Sequence, residues 1–226
     1  MNIDKNNLQK HNYNCIVVLG MHRSGTSIFA NILSELGVKM GETLHSADQF
    51  NIYGYVEDLE IKNLNQEIVP DWKAIPSQDV LYQNASKRKE KILAICKERN
   101  QLNLWGWEDS CTCITVEYWH YYLYNPFYVI VTRDKNNIAN SLMHHEQIKA
   151  RYTHLDRRYW LQLIEVYHKS IVNFLMKAQP NYMLVNYDYL IKNPASAYIL
   201  VDKICEQVGL DRQYILKAIG KVKYND

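Results

Sequence analysis

The chain has 226 residues, with 26 Lys and Arg against 24 Asp and Glu for a net charge of +2. That length suits one α/β domain with a sizeable core, and so small a charge argues against a broad nucleic-acid footprint. No apolar run approaches the roughly 20 residues that span a bilayer. The five cysteines are odd in number; with Cys111 and Cys113 too close for a relaxed disulfide, and no signal-peptide pattern, they point to a reducing compartment, the cytoplasm. Nothing reads as a linker, a repeat or a low-complexity tract. Residues 1–13 are therefore expected as a polar, disordered start and residues 14–226 as a single domain.

The elements follow in chain order. The apolar run over residues 15–20 predicts a buried strand, followed by an amphipathic helix over 26–36 and a polar loop to about residue 49. A second helix is expected from Glu57 to Ile68, then an irregular stretch over 71–85 and a basic amphipathic helix over 87–99. Residues 104–107 read as a strand and 116–124 as a helix. The β-branched run Phe127-Tyr128-Val129-Ile130-Val131-Thr132 predicts another buried strand. It ends in Arg133-Asp134, and Asp134 can cap a helix over 135–147. A long helix over 157–178 leads to a last strand over 182–186. Pro194 opens a helix that Gly209 ends, and a final helix follows Asp211. Strands separated by helices imply an α/β fold of three layers, α/β/α, with a central parallel sheet. Ligands in such sheets bind at the carboxyl ends of the strands.

One such end carries the most informative stretch, Gly20-Met21-His22-Arg23-Ser24-Gly25-Thr26-Ser27. A strand breaks into a glycine-bounded loop with a positive charge and passes directly into a helix. Backbone N–H groups of the loop and first helical turn then share one concavity, where the helix dipole also favours an anion. The spacing is that of a P-loop, except that Thr26 stands where a nucleotide triphosphatase has its lysine. The charge sits instead at Arg23. Such a loop suits a 5′-phosphate better than triphosphate chemistry.

On these residues the chain resembles the sulfotransferase superfamily, in its bacterial and carbohydrate-type branch. Its members move a sulfuryl group from 3′-phosphoadenosine 5′-phosphosulfate (PAPS), leaving 3′-phosphoadenosine 5′-phosphate (PAP). The resemblance implies a P-loop NTPase-like sulfotransferase fold, with His22, Arg23, Ser24, Gly25, Thr26 and Ser27 around the donor's 5′-phosphosulfate. Arg133 at a strand end, with Ser141 eight residues later, resembles the family's pair that holds the 3′-phosphate. Arg133 would supply a forked, charge-assisted contact and Ser141 a hydroxyl. Further on, Val185-Asn186-Tyr187-Asp188-Tyr189-Leu190 with Asn193-Pro194, and Cys205-Glu206-Gln207-Val208-Gly209-Leu210, resemble scaffold segments of the family. The likeness spans about residues 14–210.

Sulfuryl transfer needs in-line attack by an acceptor oxygen or nitrogen, charge stabilisation on the departing phosphate, and a base for the acceptor proton. It parallels phosphoryl transfer but needs no Mg²⁺ in principle, because the transferred group carries less charge. Arg23 is the natural stabiliser of the bridging and leaving oxygens. For the base, Asn51-Ile52-Tyr53-Gly54-Tyr55-Val56-Glu57-Asp58 resembles a family segment that supplies a carboxylate, which points to Glu57. Glu57 and Asp58 also suit the first turn of a helix. His22 is a second candidate, or a wall of the adenosine pocket, and His45 a third.

Two departures stand out. The family often carries Lys-Asp-Pro-Arg after its second strand, where this chain has Glu108-Asp109-Ser110-Cys111. Proline and lysine are also missing from residues 51–55. Three readings follow: a sulfotransferase acting on a hydroxyl or amine of a glycan or small metabolite, a P-loop kinase of a small metabolite, or a catalytically silent nucleotide-binding protein. The acceptor pocket is expected in residues 39–55, 71–86 and 144–159. No metal-ligand spacing accompanies the cysteines, the adjacent His144 and His145 before Glu146 would point in different directions on a helix, and the oligomeric state is open.

Overall fold

Four segments assemble the sheet, three of them buried along most of their length and the fourth, an edge strand, largely exposed. They are β1 (Cys15–Leu19), β4 (Trp105–Glu108), β5 (Pro126–Thr132) and β6 (Asn181–Asn186). The computed structural model describes residues 11–41, 44–45, 55–148, 152 and 154–222. Among these residues the main sheet runs in the order β4-β1-β5-β6 with every pairing parallel. Every residue of β1 and β4 is buried, as expected where helices cover both faces.

Alternation along β1 assigns the faces. Cys15, Val17 and Leu19 enter one core with α2 (Leu59–Ile68), α3 (Gln78–Arg99), α4 (Thr112–His120), α5 (Lys135–Ile148) and α6 (Arg157–Ala178). Ile16 and Val18 enter the other, with α1 (Thr26–Glu35), α8 (Pro194–Val208) and α9 (Ile215–Ile219). The three-layer architecture with a central parallel sheet is therefore present. Crossovers of this kind bring β1, β4 and β5 to one edge with their carboxyl ends side by side, Val18 beside Glu108 and Leu19 beside Ile130.

Several boundaries differ from the sequence expectation. Residues 71–85 are irregular only as far as Ser77, and α3 begins at Gln78. Its first turns are polar and exposed, so they carry no apolar period until Leu81 and Ala85 turn inward. Helix α4 starts at Thr112 rather than residue 116 and ends at His120. Thr112 and Thr115 are poor helix formers, but their hydroxyls are satisfied inside the fold, which outweighs propensity. Glu57 lies on a strand, β3 (Tyr55–Asp58), rather than at a helix start. Strand β3 pairs antiparallel with β2 (Leu44–His45), a hairpin too short to show in hydrophobic pattern. Asp58 is the N-cap of α2, its Oδ1 accepting from the Glu60 and Ile61 amides at 3.0 and 3.3 Å. Its Oδ2 meets Arg99 at 3.3 Å, in a pair buried on both sides.

Candidate functional site

The site grows from the turn between β1 and α1. Leaving the sheet at Leu19, the chain must reverse within a few residues, and it does so through two left-handed positions, Arg23 (φ 68°) and Gly25 (φ 95°). A left-handed arginine is uncommon and carries strain that the surroundings must hold in place. The Ser24 amide donates to the Met21 carbonyl at 3.0 Å, and Ile28 to Gly25 at 3.1 Å. Gly20 admits no side chain: a Cβ there would sit 2.5 Å from Thr26 Cγ2 and 2.7 Å from Ser24 Oγ. Helix α1 opens on Gly25 with no side-chain cap. The leading N–H groups of its first turn therefore face the loop without the partner that a capping side chain provides.

Around this turn three strand ends converge. From β5, the Arg133 guanidinium donates through Nη1 to the Arg23 carbonyl at 2.9 Å. It stacks on the Tyr187 ring at 4.7 Å, and its Nε lies 3.4 Å from Asp188 Oδ1. Tyr187 and Asp188 belong to α7 (Tyr187–Leu190), which follows β6 directly. From α5, Ser141 Oγ accepts from Arg23 Nε at 3.1 Å. Arg23, Arg133 and Ser141 are thus brought together, although they stand 110 and 118 residues apart from the loop arginine. Asp188 also accepts from the Asp134 amide at 3.0 Å, tying α7 to the start of α5.

Under the loop, His22 stacks on Trp72 at 4.1 Å and meets Tyr167 edge-on at 6.1 Å. The tyrosine hydroxyl fixes Trp72 by donating to its carbonyl at 2.9 Å. Burial, followed by the charges of Lys73, Lys62 and Arg23, pushes His22 down to about 3. The imidazole is neutral across the physiological range and a weak proton acceptor. It can still donate or accept a hydrogen bond.

Carboxylates line the other side. Glu57, with a side chain 14% exposed, is ion-paired to Lys62 of α2. Glu108, the last residue of β4, is only 3% exposed. Burial first, then the Glu57 and Asp109 charges, hold Glu108 well above the usual carboxylate range; a hydrogen bond to Thr26 and the charge of Lys62 oppose them. Burial raises Asp109 to about 6. Asp109 is anchored by Asn65, whose amide nitrogen reaches Asp109 Oδ2 at 2.7 Å and Thr112 Oγ1 at 2.9 Å. The Asn65 carbonyl oxygen accepts from Thr115 at 2.7 Å and Trp119 at 2.9 Å, so this fully buried amide is satisfied on both ends. Sequence reading treats Glu108 and Asp109 only as departures from a family pattern. Their burial, and the place of Glu108 beside Thr26, depend on the β1–β4 pairing and are invisible in one dimension.

Among the described residues, four buried polar atoms near the loop lack hydrogen-bond partners: His22 Nε2, Ser24 Oγ, Arg133 Nε and Glu108 Oε2. For Arg133 Nε the approach to Asp188 is an ion pair without a hydrogen bond. Folded proteins rarely leave such atoms orphaned without a role for them. Ser27 is half-buried in the first turn of α1. His45 has its backbone in β2 but its side chain outside the described residues, as do residues 46–54 of the expected acceptor segment.

At the level of sequence, no protein-family model and no curated protein matches the chain. Solved structures do. A sulfotransferase domain from the Synechococcus PCC 7002 olefin synthase superposes with a TM-score of 0.53 at 13% identity, over 92% of this chain and 78% of that one. The sulfotransferase domain from the curacin biosynthetic pathway gives 0.54 at 14% identity, over 95% and 84%. Sulfotransferase STF1 from Mycobacterium tuberculosis H37Rv gives 0.60 at 14% identity, over 94% and 72%. The fold is that of sulfotransferase domains. In this sulfotransferase fold the glycine-bounded loop, Arg133 and the carboxylate cluster all sit at the carboxyl ends of the parallel strands, where α/β sheets bind ligands.

Proposed function

We propose that the protein is a sulfotransferase that transfers a sulfuryl group from PAPS to a hydroxyl or amine acceptor. The observation that carries this reading is the set of orphaned buried atoms at the loop. His22 Nε2 and Ser24 Oγ have no hydrogen-bond partner, and beside them Arg133, whose Nε meets Asp188 only as an ion pair, borders a turn with two left-handed residues and an uncapped helix start. An anionic ligand with two separated phosphates would satisfy them. Ser24, Gly25, Thr26 and Ser27 bind the 5′-phosphosulfate through backbone N–H groups and hydroxyls. Arg133 and Ser141 bind the 3′-phosphate, which distinguishes this donor from ATP. The Tyr187 ring under Arg133 keeps the guanidinium flat and aimed.

In the transfer, the acceptor oxygen or nitrogen forms a new bond to sulfur as the bond from sulfur to the donor's phosphate oxygen breaks. Arg23 neutralises the charge that develops on that leaving oxygen. Glu57, held by Lys62, takes the acceptor proton. Neutral His22 lines the donor pocket as a hydrogen-bonding wall. Five free cysteines accord with a cytoplasmic setting. No helix among the described residues is long and apolar enough to cross a membrane.

The test is incubation of the purified protein with PAPS and a panel of hydroxyl and amine acceptors, glycans and small metabolites among them. Sulfated product should appear in equal amount to PAP, without Mg²⁺. Phosphorylated product from ATP and Mg²⁺ would favour a kinase, and PAP binding without transfer to any acceptor a silent nucleotide-binding protein.

A further inference from the structure

Glu108 is the most unusual side chain at this site. It ends β4 beside Val18, so its carboxyl lies under the loop that β1 leads into. One side of it bonds Thr26, the residue at the position where a P-loop carries lysine. Its other oxygen, Oε2, is buried and has no partner. The neighbouring charges come from several elements. Glu57 faces it from β3 and Asp109 from the turn after β4, both repelling a negative charge; Cys113 of α4 is a buried thiol beside it. Lys62 of α2 is a cation that opposes them, and its ammonium is ion-paired to Glu57.

Two costs would fall on an ionised Glu108. Its charge would be buried without a paired cation of its own. An anion entering the loop would add like-charge repulsion at close range in a dry site. A proton on Glu108 removes both, and converts the orphaned side of the carboxyl from a bare acceptor into a donor. Ser24 Oγ, the second orphaned oxygen, flanks the same Gly20 that Thr26 packs against. The two can then donate to one anionic ligand.

We propose that Glu108 is a ligand-binding residue that holds a proton when a phosphate-bearing donor occupies the loop, so that donor binding and proton uptake at Glu108 are one coupled event. The proposal rests on the sulfotransferase reading and specifies how this chain accommodates a glutamate there. Linkage is reciprocal: the ligand raises the proton affinity of Glu108, and the proton raises the affinity for the ligand. Above the titration of Glu108 in the free protein, affinity should fall about tenfold for each unit of pH, and below it the Glu108 contribution should be flat.

The experiment is calorimetric titration of the native protein and of Glu108→Gln with PAP, across a pH series and in two buffers of different ionisation enthalpy. Native protein should take up about one more proton per PAP than Glu108→Gln at the alkaline end, and the variant should lose the corresponding slope. Equal proton uptake by both proteins overturns the proposal. A purely structural role for Glu108 would shift the melting temperature of the variant without changing proton stoichiometry. Should the variant not fold, the native protein alone decides, because an affinity independent of pH beyond the ligand's own ionisation overturns the proposal too. Should PAP bind neither protein, the sulfotransferase reading fails. The claim about Glu108 is then read from infrared spectra of both proteins. A protonated-carboxyl band that bleaches in alkali and is missing from Glu108→Gln supports it, and identical bands in the two proteins overturn it.

Discussion

Substituting Gly25 by alanine tests how the loop is locked to the rest of the site. Two penalties combine. Gly25 has φ 95°, a region that costs an L-residue about 1–2 kcal/mol. In addition, a Cβ there would lie 2.0 Å from Tyr187 Cδ2 and 2.6 Å from both Cε2 and Cγ. The ring belongs to the start of α7 and is held under Arg133, so it cannot swing away freely. Forcing it aside adds an overpacking cost of about 1–3 kcal/mol. Together Gly25→Ala should destabilise the fold by about 2–5 kcal/mol, which for a chain of this size lowers Tm by about 5–15 °C. Chemical denaturation of Gly25→Ala, Tyr187→Ala and the double variant separates the two parts. Removing the ring removes the clash and leaves only the dihedral strain, so the pair should show a coupling of about 1–3 kcal/mol. Strictly additive losses would refute the contact between the loop and α7, and with it the platform that orients Arg133.

Further substitutions assign roles. Arg133→Ala should weaken PAP binding by about 1.5–3 kcal/mol while barely changing adenosine 5′-phosphate, since one charge-assisted contact is lost; equal losses for both nucleotides would remove Arg133 from the 3′-phosphate. Glu57→Gln should leave PAP affinity near native and suppress sulfate transfer, and unchanged turnover would eliminate Glu57 as the base. Asp109 provides a pH test of stability. Burial raises it from 3.8 to about 6 in the folded state. Its contribution is thus fully present below the unfolded value and is lost as pH rises through about 6. A rise of that size corresponds to about 3 kcal/mol. The stability of Asp109→Asn relative to native should rise by that order between pH 4 and pH 8, and parallel denaturation curves at the two pH values would contradict it.

Much of the framework is legible in the sequence because buried parallel strands and amphipathic helices leave strong local patterns. The run over residues 127–132 could only be a covered strand, and Arg133 and Asp134 mark where it meets solvent and a helix. The loop is legible too, since Gly20, Arg23 and Gly25 are spaced by the geometry of an anion-binding turn. What escapes is what tertiary contact decides. The β2–β3 hairpin pairs two residues with four, too few to alternate visibly, yet it sets Glu57 on a strand against Lys62. The early part of α3 is stabilised by only a few inward side chains. Glu108 reads as a simple exchange of lysine for glutamate. Only the register of β4 against β1 shows it buried under Thr26, among two carboxylates and one committed lysine.

The most direct test of the central claim is calorimetric titration of the purified protein with PAP, against adenosine 5′-phosphate and against ATP with Mg²⁺. The account expects PAP to bind tightest, with the 3′-phosphate supplying much of the difference from adenosine 5′-phosphate. Preference for ATP with Mg²⁺, or no binding of any of the three, would contradict it.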